Sequence, residues 1–475
     1  MTRLRVALRC DAHASLGVGH LARCVALAQE ARAQGHDPVL VGRFSGPVAD
    51  ELIARADLPV RRELPSEVDV VHVDSYTDAA AYVAPLLSRV HDGRFGVGPA
   101  ALATDPTPGA DRRPRPQGLG PEALRLVGER YALLRPDVLA ARAARHPKLA
   151  GAPARPLVVT VVVGGTDPGA LRGRLVEALR RTGLPLDVRG PGPTLVADLA
   201  ASDLVVSAAG TTLWEAFALG APTAAVCAVD NQEVGYAAAV GARATVGLGR
   251  PGDLDLDTAA ARLSALLTDE PERRRMASRA AALVDGLGAW RLVSSWSALL
   301  DRPVHARRAD EGTLTLRPAE RSDAPLLLAW RNDPQTRHWS RTSDPVDPDQ
   351  HARWLTDSLS RSDRVLLVAT DAAGPVGTVR WDRADHLDPS ISHDRPDEWE
   401  VSITLAPNRR GAGLALDVLR AGEEYLAARH PVTAYLAVVH DDNRASRRLF
   451  ARAGYLPDRP ADADGFARLV AFARG

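Results

Sequence analysis

Three times before Gly220 the chain runs an apolar strand into a glycine-bearing corner and out along a helix, which commits it to parallel sheets crossed by helices. The segments are LRVALRCDA with GVGH and LARCVALAQEARAQG, then PLVVTVVV with GGTDPG, then DLVVSAAGTTLWEAFALG. Strands covered on both faces read as such continuous apolar runs. PVLVGR (38 to 43) and VDVVHVD (68 to 74) extend the first series, and LDVRG and PTAAVCAVDNQ extend the second. At 475 residues the chain exceeds the roughly 250 to 300 residues at which one core stops growing, so several domains are expected. The fold class is α/β: two Rossmann-like domains, 1–150 and 151–300, a polar linker DRPVHARRADEG over 301–312, and an α+β domain with a central mixed sheet over 313–475. Residues 94–120, rich in Gly, Pro and Arg, read as loop.

Charge and cysteine usage narrow the partners. Fifty-nine basic and 59 acidic residues give a formal net charge of +0, so no field gathers nucleic acid. Cys10, Cys24 and Cys227 lack metal-ligand spacing and lie in apolar segments, as buried thiols do in a reducing compartment, and no metal is expected. The start, MTRLRVALRCDAH, carries charges throughout, and no later run reaches about 18 apolar residues, so a cytoplasmic protein without a membrane partner is expected. The oligomeric state is not legible.

The corners carry the chemistry. Gly17 and Gly19 let the backbone turn at a strand end, where a helix N-terminus suits an anion, and His20 stands there with a side chain able to take a proton from water. The same residues would equally make a tight connection with a solvated histidine. In GGTDPG (164 to 169) and SAAGTTLWE (207 to 215) the pattern returns. Ser207, Gly210, Thr211 and Thr212 offer hydroxyls and N–H groups to a diphosphate, and Glu215 offers a carboxylate to ribose hydroxyls. Alternatively the Ser and Thr residues are helix caps.

RCDAHASLGVGHLARCVALA, YALLRPDV, VVVGGTDPG, SAAGTTLWEAFALGAP and DNQ together resemble the UDP-sugar hydrolases of pseudaminic acid biosynthesis, over about residues 3–295. The resemblance implies a GT-B-like pair of domains with UDP between them and attack of water at the anomeric carbon. It implies His20 as general base, Asp11, Gly17 and Gly19 near the sugar, and Gly164, Gly165, Asp167, Ser207, Gly210, Thr211, Thr212, Glu215, Asn231 and Gln232 around the nucleotide. The chain keeps the family's Asp-x-Tyr as Asp74 and Tyr76, but reads FGVGPAALATDPTPG where the family carries an acidic pair. A GT-B glycosyltransferase and a non-catalytic nucleotide-sugar-binding module stand as alternatives.

In the last domain EWEVSITLAP (398 to 407) alternates as a strand and enters NRRGAGLALDVLRAGEEYLA, a basic, glycine-bearing turn opening a helix. Arg410, Gly413 and Ala415 fit Q/R-x-x-G-x-G/A, and TAYLAVVHDDNRASRRLFARAGYLPD adds a strand, Asn443 and a helix. These segments resemble the GNAT acetyltransferase superfamily. LRPAERSDAPLLLAWRNDP and HARW, with His351 and Trp354, resemble its members that acetylate the 4-amino group of a UDP-linked sugar in the same pathway. The resemblance implies acetyl-CoA as co-substrate, its thioester beside Leu405 where two parallel strands splay, and its remaining contacts at Arg410, Gly411, Ala412, Gly413, Leu414, Ala415, Asn443 and Ser446. Glu400 is the preferred base and His440 the second choice, although a strand glutamate also serves as a solvated face. Phe450 stands where many members carry a tyrosine acid. The two halves together imply a bifunctional enzyme that acetylates a UDP-4-amino sugar and hydrolyses it to UDP and a free diacetamido sugar.

Overall fold

The apolar strands of the first half assemble two all-parallel sheets. A computed structural model describes residues 3–13, 18–78, 82–93, 95–110, 113–144, 156–164, 170–301, 314–384 and 397–473. The first sheet holds β1 (Arg5–Arg9), β2 (Asp37–Val41), β3 (Val60–Arg61), β4 (Val70–Val73), β5 (Leu86–Val90), β6 (Leu102–Asp105) and β7 (Leu124–Val127), in the order β3-β2-β1-β4-β5-β6-β7. The chain starts in the middle, runs out through β2 and β3, and returns to pair β4 with the other edge of β1. Strand order therefore reverses between β1 and β4, where open α/β sheets form their ligand crevice. The second sheet repeats the device: β8 (Leu157–Val162), β9 (Leu186–Arg189), β10 (Leu204–Ala208), β11 (Thr223–Val226) and β12 (Val246–Gly247) run in the order β12-β11-β10-β8-β9, reversing between β8 and β10.

Contacts divide the chain into two compact units, Met1–Ser297 and Ala298–Gly475. Both parallel sheets belong to the first. The helix Gly288–Leu300, read from sequence with the second Rossmann-like domain, packs back on the first sheet: Trp296 lies 5.5 Å from His72 of β4, and Ser297 Oγ lies 3.1 Å from His36 Nε2. Its buried face of Leu292, Val293 and Trp296 finds its core there. The stretch read as loop over 94–120 also contains β6, a four-residue strand hidden by its Gly and Pro flanks. The predicted linker, apart from Asp301, lies outside the described residues.

The second unit is built on a mixed sheet of β13 (Thr315–Pro318), β14 (Arg364–Asp371), β15 (Gly374–Arg383), β16 (Glu398–Leu405), β17 (Ala434–His440), β18 (Leu456–Arg459) and β19 (Phe466–Phe472), in the order β13-β14-β15-β16-β17-β19-β18. Its β16–β17 pairing is parallel and its other pairings are antiparallel. Trp381, Trp399, Phe450 and Tyr455 lie in its buried core. Among the described residues no helix is long and apolar enough to cross a membrane.

Candidate functional site

In the first unit, sheet order brings the ends of β1 and β4 side by side. The helix Gly19–Ala33 starts there and sets His20 and Arg23 on one buried face, one turn apart. His20 Nδ1 lies 2.7 Å from Asp74 Oδ1, and the ring meets Tyr76 edge-on at 4.4 Å. Arg23 grips Asp74 with a fork, Nε to Oδ2 and Nη2 to Oδ1 at 2.7 Å each, and reaches Asp92 Oδ2 with Nη1 at 3.0 Å. The Tyr76 hydroxyl donates to Asp92 and accepts from Asn231 Nδ2 at 2.9 Å. Burial alone would push the Asp74 carboxyl up, but the charges of Arg23 and His20 overcome it and hold Asp74 well below the usual carboxylate range. Burial, then the Asp92 charge, pushes the Tyr76 phenol well above its ordinary value.

This arrangement selects a tautomer. Arg23 Nη2, which gives one of its two hydrogens to Asp74 Oδ1 at 2.7 Å, also lies 3.0 Å from His20 Nδ1, but an unprotonated Nδ1 would set its lone pair against the Asp74 carboxylate oxygen at 2.7 Å. A neutral imidazole that donates from Nδ1 to the permanently ionised Asp74 leaves Nε2 as acceptor, the form a general base requires.

The predicted nucleotide corner stands across from His20. A Cβ placed on Gly19 would lie 4.0 Å from Thr211 Oγ1, and one on Gly210 would lie 3.3 Å from Gln232 Nε2. Gly210 is the N-cap of the helix Thr211–Ala218 and no side chain caps it, so Thr211 and Thr212 are its first residues rather than its caps. Gln232 Oε1 accepts from the Ala228 N–H at 2.9 Å, and Asn231 joins the His20 network through Tyr76. Gly164 adopts φ +89° with open space where a Cβ would stand. Gly17, Gly165 and Asp167 lie outside the described residues.

Three predicted residues are engaged elsewhere. Both oxygens of Asp11 are taken, one by the Arg43 N–H and the other by Arg9 Nη2, each at 2.8 Å. Glu215 is buried and accepts from Arg135 Nε at 3.0 Å, an ion pair that occupies the carboxylate assigned to ribose. Ser207 is buried within β10 and donates to the Ala208 carbonyl at 3.0 Å. Conversely, Asp92 and Arg23 were not singled out from the sequence. Asp92 stands two residues beyond β5, and an acid shortly after a short apolar strand is the available signal.

In the second unit, β16 and β17 pair from Glu398↔Ala434 to Val401↔Ala437 and then part, although β16 continues to Leu405 and β17 to His440. This is the predicted splay. Beyond it Gly411 and Gly413 both take φ +81° with no atom within 4 Å of either Cβ position, and the helix Ala415–Ala427 opens without a side-chain cap. Two left-handed glycines before uncapped helical N–H groups leave open space at a corner of the kind that suits an anion. Gly377 on β15 faces Leu405 of β16, and a Cβ on Gly377 would lie 2.4 Å from the Thr404 carbonyl oxygen, so only glycine permits this approach.

Glu400 sits one residue before the strands part. Burial pushes its carboxyl up and the neighbouring Asp382 adds to this, while Arg380, Arg468 and Arg341 pull the other way. Its competitor is compromised: His440 Nδ1 accepts from the Asp442 N–H at 3.2 Å, so its basic nitrogen is in use. Asn443 Oδ1 caps the helix Arg444–Ala453 by accepting from the Ser446 N–H at 3.1 Å. Phe450 is core, 4.9 Å from the Tyr455 ring, whose hydroxyl donates to Glu423 at 2.9 Å. His351 is buried beside Trp354 at 5.2 Å. Unforeseen from sequence is an aromatic and basic wall: Trp339 lies 5.7 Å from His440, and Arg341 lies 4.5 Å over Phe466. The run RHWSR, dense in rings and charges, was the missed signal. Among the described residues no group of three or more His, Cys, Asp or Glu side chains forms a metal site.

Similarity to known proteins assigns this second site to a class. Residues 313–456 match the acetyltransferase (GNAT) domain family, and the C-terminal part of the chain is a GNAT acetyltransferase domain whose co-substrate is acetyl-CoA. Solved structures similar to the chain include aminoglycoside acetyltransferase AAC(6')-Ib in complex with ribostamycin and coenzyme A, at 21% identity, covering 34% of this chain and 93% of that one with a TM-score of 0.31. Spermidine N-acetyltransferase from Vibrio cholerae in complex with CoA and spermine aligns at 17% identity over 34% and 95% of the two chains, TM-score 0.29. Ribosomal-protein-alanine N-acetyltransferase from Brucella melitensis aligns at 22% identity over 34% and 99%, TM-score 0.29. No curated protein is detectably similar to the chain.

Proposed function

We propose that the chain is a bifunctional nucleotide-sugar enzyme: the GNAT domain acetylates the 4-amino group of a UDP-linked amino sugar, and the first unit, a GT-B-like pair of Rossmann domains, hydrolyses the product to UDP and a free diacetamido sugar. The pathway this fits is pseudaminic-type acid biosynthesis. The observation that carries the hydrolase half is the His20–Asp74 pair at the strand-order reversal of the first sheet, facing the glycine corner of the second.

In the hydrolytic step Asp74 holds the imidazole so that Nε2 accepts a proton from water. The resulting oxygen nucleophile forms a bond to the anomeric carbon as the bond to the UDP oxygen breaks. The uncapped N–H groups of Thr211 and Thr212 suit the departing diphosphate. In the second unit the Gly411–Ala415 corner suits the pyrophosphate of coenzyme A, and the parted β16 leaves backbone N–H groups near Leu405 for a thioester carbonyl. Acetyl-CoA supplies the acyl thioester. Glu400, a carboxylate raised by burial, takes the proton that the attacking amine must lose as its nitrogen bonds the acetyl carbon, and the C–S bond breaks to release the coenzyme A thiolate, which takes its proton from water.

Incubating the protein with acetyl-CoA and a UDP-4-amino sugar, while following CoA and UDP, tests both halves. One CoA and one UDP per sugar are expected. CoA without UDP removes the hydrolase, and UDP released only when a sugar acceptor is added replaces hydrolysis by glycosyl transfer.

A further inference from the structure

Arg410 heads the acetyl-CoA corner, yet its side chain is turned to another element. Nη1 donates to Asp333 Oδ2 at 2.7 Å and to Gln335 Oε1 at 2.9 Å, and Nη2 donates to Thr336 Oγ1 at 2.8 Å. Both hydrogens of Nη1 and one of Nη2 are thereby spent on residues 333–336, and the guanidinium is only a quarter exposed.

Residues 333–346 form a closed loop. Asn332 staples its base, donating from Nδ2 to the Val346 carbonyl at 2.9 Å while its Oδ1 accepts from the Val346 N–H at 2.8 Å. Arg337 crosses the loop to the Ser343 carbonyl at 2.7 Å, and Arg331 reaches the Thr342 carbonyl at 2.9 Å. Asp333 both receives Arg410 and accepts from the Thr336 N–H at 3.1 Å, so the same carboxylate starts the short helix Pro334–His338. The far side of the loop carries the wall of the site: Trp339 faces His440, and Arg341 pairs with Asp462 at 3.0 Å and covers Phe466. A stitched loop held at two ends moves as one piece, and only four residues lie between Thr336 and Arg341.

We propose that Arg410 is a positioning residue that joins the acetyl-CoA corner to the loop 333–346, so that seating coenzyme A on the Gly411–Ala415 amides fixes Trp339 and Arg341 for the incoming amine. This rests on the reading that the GNAT domain transfers acetyl to an amine bound beside Glu400. Its consequence is directional: the corner acts on the acceptor side through one guanidinium, and the donor grip itself is made of backbone.

Hydrogen–deuterium exchange on the full chain with and without coenzyme A reads this without any turnover, so a failure of the acceptor assignment leaves the test intact. In the wild type coenzyme A slows exchange across 334–341. In Arg410→Ala coenzyme A still binds, weakened by no more than about fivefold, the ceiling for a part-exposed charge contact, while protection of the loop is lost. Asp333→Asn, which keeps Arg410 but weakens its anchor, gives a partial loss, and Arg410→Lys restores part of the protection. With a UDP-4-amino sugar as acceptor, Arg410→Ala raises KM for the sugar more than KM for acetyl-CoA. Equal protection in wild type and Arg410→Ala overturns the proposal, as does a variant that no longer binds coenzyme A while loop exchange is unchanged, since Arg410 would then be a direct phosphate ligand.

Discussion

The corner after β1 and the corner after β16 share a grammar of strand, glycine and helix, and they hold their chemistry in opposite ways. At the first, a buried chain of charges, Asp92, Arg23 and Asp74, fixes one imidazole. At the second, two left-handed glycines and an uncapped helix leave backbone donors bare. Side-chain charge orients a proton acceptor, whereas bare amides receive an anion without the desolvation cost of a buried ion pair. Local sequence announces the corner, and its surroundings decide its use.

Substitutions separate the two. The largest effect is expected for His20→Ala, which removes the base and lowers UDP release by about 10²- to 10⁴-fold with UDP binding and acetyl transfer retained. Retained UDP release would move the base elsewhere. Asp74→Asn, which presents an amide donor to Nδ1 and puts the proton on Nε2, is expected to cost UDP release at least about 10²-fold and to destabilise the first unit by about 3 kcal/mol, because the buried Arg23 loses the more buried of its two anionic partners and keeps only Asp92. Denaturant melts and UDP assays on one sample check both numbers.

Glu400→Gln is expected to slow acetyl transfer about 10²-fold and to abolish its acidic limb. The sign follows from burial: a carboxyl raised above its ordinary value accepts protons earlier as pH falls, so wild-type transfer declines on the acid side before an exposed glutamate would titrate. A pH profile unchanged by the substitution contradicts the assignment. Gly413→Val, forced to φ +81°, is expected to weaken coenzyme A about tenfold or more without touching UDP.

The smallest effect concerns stability. His72 and His91 are buried, and burial lowers each imidazole from 6.5 to about 4. The folded form resists protonation that the unfolded chain accepts, so stability of the first unit is full above 6.5 and is lost as pH falls towards 4, by about 1 kcal/mol per histidine at pH 5.5. Melts of the protein at pH 7.5 and 5.5 measure it, and His72→Gln removes its share of the slope.

What the sequence disclosed follows the range of the interactions. The corners and their glycines are local, and periodicity with turn chemistry makes them legible, whereas the parting of β16 and β17 was implied only by the GNAT resemblance. His20 was legible as a histidine at a strand end, but its partner Asp74 comes from a strand that neighbours β1 only because the chain doubles back. Asp92 was hidden because β5 is short and leads into glycine-rich chain. Asp11, which the resemblance places near the sugar, is held by its near neighbour Arg9 and by the Arg43 N–H, while partners distant in the chain hold Glu215 and Arg410: Arg135 and Asp333. Charge type can be read along a chain, but pairing cannot.

Calorimetric titration of UDP and of coenzyme A into the wild type, His20→Ala and Gly413→Val tests most directly whether two corners grip two different pyrophosphates. The account predicts one site for each ligand in the wild type, UDP binding unchanged by Gly413→Val, and coenzyme A binding unchanged by His20→Ala. A protein that binds neither ligand, or in which Gly413→Val abolishes UDP binding, would contradict it.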